Sequence, residues 1–168
     1  KNLYVTFVDY RKARQNIYSK KSKKGRNPNF PEDISENIIR QYILHKENEN
    51  CIWNTKNGDL LKPDLSKKIE VKCFSSIGPT SFGPTEDWDE LYFLDATDWF
   101  NDKIKIYKIN IASNDDRIKN MKINKLQTYE HMCRDGKRPR IKFKLIQNMF
   151  DNDDDFQLVY DDDIMKLL

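Results

Sequence analysis

The chain has 168 residues, 38% apolar and 34% charged, which fits one compact domain and leaves little room for two. Nine Phe, eight Tyr and three Trp supply the large apolar bodies of a core and argue against wholesale disorder. No apolar run approaches the roughly 20 residues needed to span a bilayer and no secretory pattern opens the chain, so a cytoplasmic protein without membrane contact is expected.

The N-terminal run Leu3 to Val8 (LYVTFV) is β-prone, whereas the YRKARQNIY that follows reads equally as helix, so the type of this segment stays open. Arg11 to Arg26 holds eight Lys or Arg and no acid, with SKKSKKGR inside it as a basic arm. After Pro31, Asp33 and Glu36 fit a capping box, and Ile34, Ile38, Ile39, Tyr42 and Ile43 form an apolar stripe at helical spacing, predicting a helix over about Ile34 to His45. CIWNT, GDLLK and KKIEVKCF then read as three strands of a meander, separated by Asn-Gly and by Pro63-Asp64-Leu65-Ser66.

The loop Ser75 to Glu90 carries two Gly-Pro pairs and is expected to hold a short helical turn near Thr85. LYFLDA, apolar without alternation, suits a strand buried on both faces. Ile104 to Ile111 alternates with a phase slip near Tyr107 and Lys108, which suggests a bulge or an edge. Asn124 to Cys133 reads as a helix closed by Gly136. Pro139 to Ile146 reads as a strand with Ile141, Phe143 and Leu145 on one face and Arg140, Lys142 and Lys144 on the other. The segment from Asp151 onward has seven Asp against Lys166 alone and reads as a solvated acidic tail. Cys51, Cys73 and Cys133 are read as reduced, mostly buried thiols, and Trp53, Trp88 and Trp99 as core or dimer-interface aromatics.

The net charge of +3 hides this segregation of basic and acidic segments, since Arg134 to Lys144 adds six more bases against the single Asp135. Clustered bases gain from counterion release on a phosphate backbone, although a solvated Lys- and Asn-rich surface has the same composition.

Chemistry rests on Asp59, Glu70 and Lys72. The bare acid-x-Lys pattern carries no weight, because it also occurs at Asp135/Lys137. Glu70 and Lys72, however, are two apart in a strand and so share a face. With Pro63 to Ser66 as a four-residue turn, position 62 pairs with 67, which puts Asp59 opposite Glu70 at about 5 Å between Cβ atoms. Two carboxylates that close repel unless a cation joins them, and Mg²⁺ suits such an oxygen pair. Lys72 between two acids should have a raised pKa, favouring a role in orienting water over that of a free base. Asp64 is the competing first acid, but at the hairpin tip it lies up to roughly 20 Å from Glu70. A solvent-facing hairpin with a simple acid–lysine pair is the alternative to the whole constellation.

These residues resemble those of the PD-(D/E)xK nucleases, and GDLLKPDLSKKIEVKCFSS, GPTSFGPTEDWDELYFLDA and KINKLQTYEHMCRDGKRPRI resemble type II restriction endonucleases of that superfamily. The resemblance implies an α/β fold with an αβββαβ core, a central mixed sheet flanked by helices, although residues 75–90 leave room only for a very short or distorted crossover helix. It implies one nuclease domain over 1–168: a basic N-terminal segment (1–30), a catalytic core (31–112), a basic DNA-contacting region (113–150) and an acidic C-terminal segment (151–168). Asp59 and Glu70 would bind Mg²⁺ and Lys72 would be catalytic. Glu36 is either an auxiliary ligand through water or the cap described above. Ser75, Ser76 and Ser81 would follow the DNA backbone or merely belong to turns. Arg138 and Arg140 would read guanine edges, with Lys137, Lys142 and Lys144 on or near phosphates, or form a generic basic edge. Lys23 and Lys24 would add salt-dependent affinity. The implied enzyme is a Mg²⁺-dependent homodimer cutting duplex DNA at a short specific site. A repair nuclease or junction resolvase of the same fold, or a non-catalytic DNA-binding protein, remain the alternatives.

Overall fold

The structure, a computed structural model, describes residues 2–19, 30–54, 58–151 and 153–168. Lys23, Lys24 and most of the basic arm expected between Ser19 and Arg26 lie outside the described residues.

The N-terminal segment is a helix, α1 (Asn2–Ser19), so LYVTFV is not a strand. Tyr4, Phe7, Val8 and Arg11 fall at i, i+3, i+4 and i+7, and this face packs on the sheet, overriding the β propensity of the individual residues. Phe7 stacks on Trp99 at 4.9 Å, the Arg11 guanidinium lies over the Phe100 ring at 3.3 Å, and the Tyr4 hydroxyl donates to Asp102 Oδ1 at 2.7 Å.

The next helix, α2 (Glu32–Tyr42), begins two residues earlier than expected and runs into a π-helical turn, Ile43–Glu47. Its predicted apolar stripe of Ile34, Ile38, Ile39, Tyr42 and Ile43 is wholly buried. The capping box does not form. Pro31 occupies the cap with no side-chain hydrogen bond, because the chain enters helix before Asp33.

The expected meander follows as β1 (Ile52–Trp53), β2 (Leu60–Leu61) and β3 (Lys68–Phe74), both pairs antiparallel. Residues 75–89 then cross to β5 (Glu90–Asp95), which lies parallel to β3. This crossover contains no helix. The stretch near Thr85 is a plain turn, and β4 (Thr80–Ser81) lies within the loop. Strand β5 is buried on both faces, as its unbroken apolar run predicts. It pairs in unbroken register with β6 (Lys103–Ile109), whose pairing on its other side, with Phe156–Asp163, shifts between Ile106 and Tyr107, close to where the alternation slips.

Beyond β6 the structure departs most from the expected elements. After α3 (Asp116–Lys119), residues 124–127 are not helical, because the Asn124 side chain accepts from the N–H groups of Leu126 and Gln127, both at 2.9 Å, and closes a turn. Helix α4 (Tyr129–Arg134) begins only at its Thr128 cap and is closed by Gly136 at a φ of 69°. The strand expected over Pro139 to Ile146 reduces to β7 (Arg140–Ile141), paired with β4, followed by helix α5 (Phe143–Phe150). Phe143, Ile146 and Phe150 sit at i, i+3 and i+7 and turn inward, whereas Leu145 is exposed. The acidic segment is no free tail. Phe156–Asp163 is an eight-residue strand, β8, at the sheet edge, where its Asp side chains meet Lys103 and Lys105, and Ile164 and Leu167 enter the core.

The resulting six-stranded mixed sheet, ordered β1-β2-β3-β5-β6-β8, has helices on both faces, the α/β class expected. Helices α1 and α2 cover one face; Phe82, Trp88, α3, α4 and α5 cover the other. Trp88 and Trp99 are buried but Trp53 is exposed on β1, and only Cys51 of the three free cysteines is fully buried. No described helix is long and apolar enough to cross a membrane.

Candidate active site

The β2–β3 hairpin has the register the turn length predicts: Leu60 faces Ile69, Leu61 faces Lys68, and the Lys62 N–H donates to Lys67 O at 3.0 Å. Leu65 closes the turn at a φ of 62°, and Asp64 Oδ1 accepts from the Ser66 N–H. Asp64 is therefore spent on the exposed tip, whereas Asp59 lies just before the paired residues, its N–H donating to Ile69 O at 2.9 Å and its charge acting on Glu70. Just before β2 the chain turns at Gly58, whose φ of 76° suits glycine and where a Cβ would lie 3.2 Å from Ile69 O. From there the Asp59 side chain turns over β3, and its Oδ2 accepts from the Val71 N–H at 2.7 Å.

Glu70 is 2% exposed. The Lys72 ammonium donates to Glu70 Oε1 and also lies 3.2 Å from Glu86 Oε2, 5.0 Å from the centre of the Phe82 ring. Burial pushes the Glu70 carboxyl up, the Lys72 ammonium opposing and the Asp59 and Glu86 charges adding to the rise. Asp59 is raised by burial too, against its Val71 hydrogen bond and Lys72. Burial alone would lower Lys72, but Glu70 and Glu86 hold it above the ordinary lysine range, as its place among acids predicts. Glu36, half-buried on α2, is raised to about 7 by burial and then by the Asp59 charge. Of its two expected roles the cap is absent, and the electrostatics place it in the field of Asp59.

Beside this centre lies a cleft of about 460 Å³. Lys72, Ser75, Ser76, Ser81, Arg138 and Arg140 all line it, with Glu32 and Ser35 from α2. The basic segment reaches the cleft because β4 and β7 pair, Thr80 with Ile141 and Ser81 with Arg140. Lys142 and Lys144 do not share the face of Arg140: Lys142 is the N-cap of α5, and Lys144 lies within that helix and reaches Gln147 at 3.2 Å. Lys137 pairs with Asp135 at 3.1 Å. His45 and His131 are exposed. Glu86 is the site residue that local pattern does not reveal, since nothing in GPTE marks it and only the crossover carries it to Lys72.

Among the described residues no group of three or more His, Cys, Asp or Glu is placed to hold a metal ion. The donor set is smaller: two carboxylates with elevated proton affinity, one of which keeps Oδ1 clear of the Val71 bond. That set fits a hard, oxygen-seeking cation that retains much of its water, and does not fit a zinc-type site.

A family model described as Bsp6I restriction endonuclease matches residues 1–152. A curated relative, the type II restriction enzyme Bsp6I of Bacillus sp. (strain RFL6), is 35% identical over 133 residues, which cover 76% of this chain and 72% of the relative. No solved structure matches.

Proposed function

The chain belongs to the Bsp6I restriction endonuclease family and is accordingly a site-specific deoxyribonuclease; from that premise we propose how its own residues bind and cut DNA. The substrate is duplex DNA at a short specific sequence, and the cofactor is Mg²⁺. The observation that carries the reading is the single cleft shared by Lys72, Ser75, Ser76, Ser81, Arg138 and Arg140.

Asp59 and Glu70 would hold the cation, with Glu36 as an outer acid. When bound, the cation supplies Lewis acidity toward the attacking water and the scissile phosphate. Lys72, kept protonated by its acidic neighbours, orients the water and offsets charge developing on the phosphate oxygens. Arg138 and Arg140, exposed on the opposite wall, read base edges, while Ser75, Ser76 and Ser81 follow the backbone. The whole chain acts as one nuclease domain in the cytoplasm. Cutting both strands of a symmetric site calls for two such centres, hence a homodimer.

Incubating plasmid DNA with the protein and Mg²⁺ tests this reading. Discrete fragments are expected. Random nicking, cutting confined to branched DNA, or no cleavage with any of several divalent metals would each overturn it.

A further inference from the structure

Lys72 faces a conflict of partners. In this structure its ammonium occupies Glu70 Oε1, the same carboxylate that a cation would need. An ammonium that simply let go of Glu70 would lose its nearest anion and swing free on four methylenes. The crossover loop supplies a second anion. Glu86 Oε2 is buried, accepts no hydrogen bond, and lies 3.2 Å from Lys72 Nζ.

Glu86 is brought there by a specific backbone device. A turn in which the Glu86 N–H approaches Gly83 O at 3.5 Å folds the side chain back across Gly83. A Cβ at Gly83 would stand 2.8 Å from Glu86 Oε1, 3.0 Å from its Cγ and 3.1 Å from its Cδ. The missing side chain of Gly83 is therefore the space that the Glu86 carboxylate occupies. The other oxygen, Oε1, lies 3.8 Å from an Arg138 guanidinium nitrogen. An acid beside a cleft that receives polyanionic DNA opposes binding, so its placement calls for another benefit.

We propose that Glu86 is a positioning residue that keeps Lys72 in the active site once Glu70 turns to the cation, with Gly83 providing the room. This rests on the reading of Lys72 as the residue that orients the attacking water. The loop acid and the catalytic strand thus work as a pair, one carboxylate for the cation and one for the ammonium.

The test separates rate from binding. Glu86→Gln, at saturating DNA in a single turnover with Mg²⁺, is expected to cut about 10- to 100-fold more slowly, the scale of a catalytic group displaced by about an ångström. The same variant without metal should bind duplex DNA as tightly as the parent or about two- to fivefold more tightly, because a negative charge beside Arg138 is gone. Gly83→Ala keeps that charge but pushes the carboxylate aside, so it should cut as slowly as Glu86→Gln while binding DNA like the parent. A parent-like rate in Glu86→Gln, or losses of binding and rate in equal measure, would overturn the proposal. Lys72→Ala tells apart the two ways of failing. If Lys72→Ala cuts normally, the site itself is misassigned; if it is inactive while Glu86→Gln is normal, only the role of Glu86 falls.

Discussion

The two walls of the cleft are built in different ways. One is β3, held on both sides by sheet neighbours, in register with β2 and β5, and anchored through Ile69 and Val71 in the larger core. The other is the crossover loop and the segment before α5, joined by a ladder of only two residue pairs, β4 with β7, plus the Phe82 N–H donating to Pro139 O at 2.9 Å. The proposed reacting groups sit on the first wall and the exposed arginines on the second. Chemistry needs groups held within a fraction of an ångström, which a central strand provides. Sequence reading needs side chains presented on a surface that can change, which a thinly tethered loop allows.

Substitutions on each wall should separate these demands. Lys72→Ala is expected to lower the cleavage rate by about 10³- to 10⁴-fold with DNA binding nearly intact, measured in single turnovers and by fluorescence anisotropy; comparable losses of binding would show that the strand wall also carries recognition. Ile69→Ala should lower stability by about 2–5 kcal/mol in urea unfolding, because it leaves a cavity beneath the catalytic strand. Arg138→Ala or Arg140→Ala should cost about 1–3 kcal/mol of discrimination between the cognate site and its one-base variants. An equal loss on all sequences would assign that arginine to phosphates instead.

The smallest expected effect is a pH dependence set by Glu36, Asp59 and Glu70. Glu36 holds its proton to about pH 7 in the folded protein against an ordinary value of 4.5, and Asp59 and Glu70 are raised as well. A raised folded pKa means the fold favours the protonated acid, so this contribution is full below pH 4.5 and is lost as pH rises through about 7. In the metal-free protein the Tm should therefore fall across that window by a few degrees, on the order expected for about 1 kcal/mol. Adding Mg²⁺ should raise Tm more at the upper end than at the lower. A cation response independent of pH would break the link between these acids and the metal.

Much of the proposed catalytic wall was legible in the sequence because it depends on local rules. Turn chemistry at Pro63 to Ser66 sets the hairpin register, Leu60 with Ile69 and Leu61 with Lys68, and that register brings Asp59 into the neighbourhood of Glu70. The apolar stripe of α2, the doubly buried β5 and the slip in the alternation of β6, which coincides with a register shift against β8, are likewise written in periodicity. The wall that carries Arg138 and Arg140 was not legible. PRIKFKLI alternates like a strand for a few residues, yet its continuation buries Phe143, Ile146 and Phe150 at helical spacing, and that competition is decided by the core it meets. LYVTFV turned helical for the same reason, its docking on Trp99 and Phe30, and Asp161 to Asp163 became the end of a strand whose aspartates pair with lysines of β6.

By itself the sequence determined the candidate catalytic hairpin, the acids it brings near each other and the lysine beside them, since residues a few positions apart are related by turn and strand geometry alone. Only the tertiary structure decided that Arg138, Arg140 and Glu86 come to the same place. Those meetings depend on a parallel crossover and a two-residue ladder between segments about 60 positions apart, where packing, not local preference, selects the pairing.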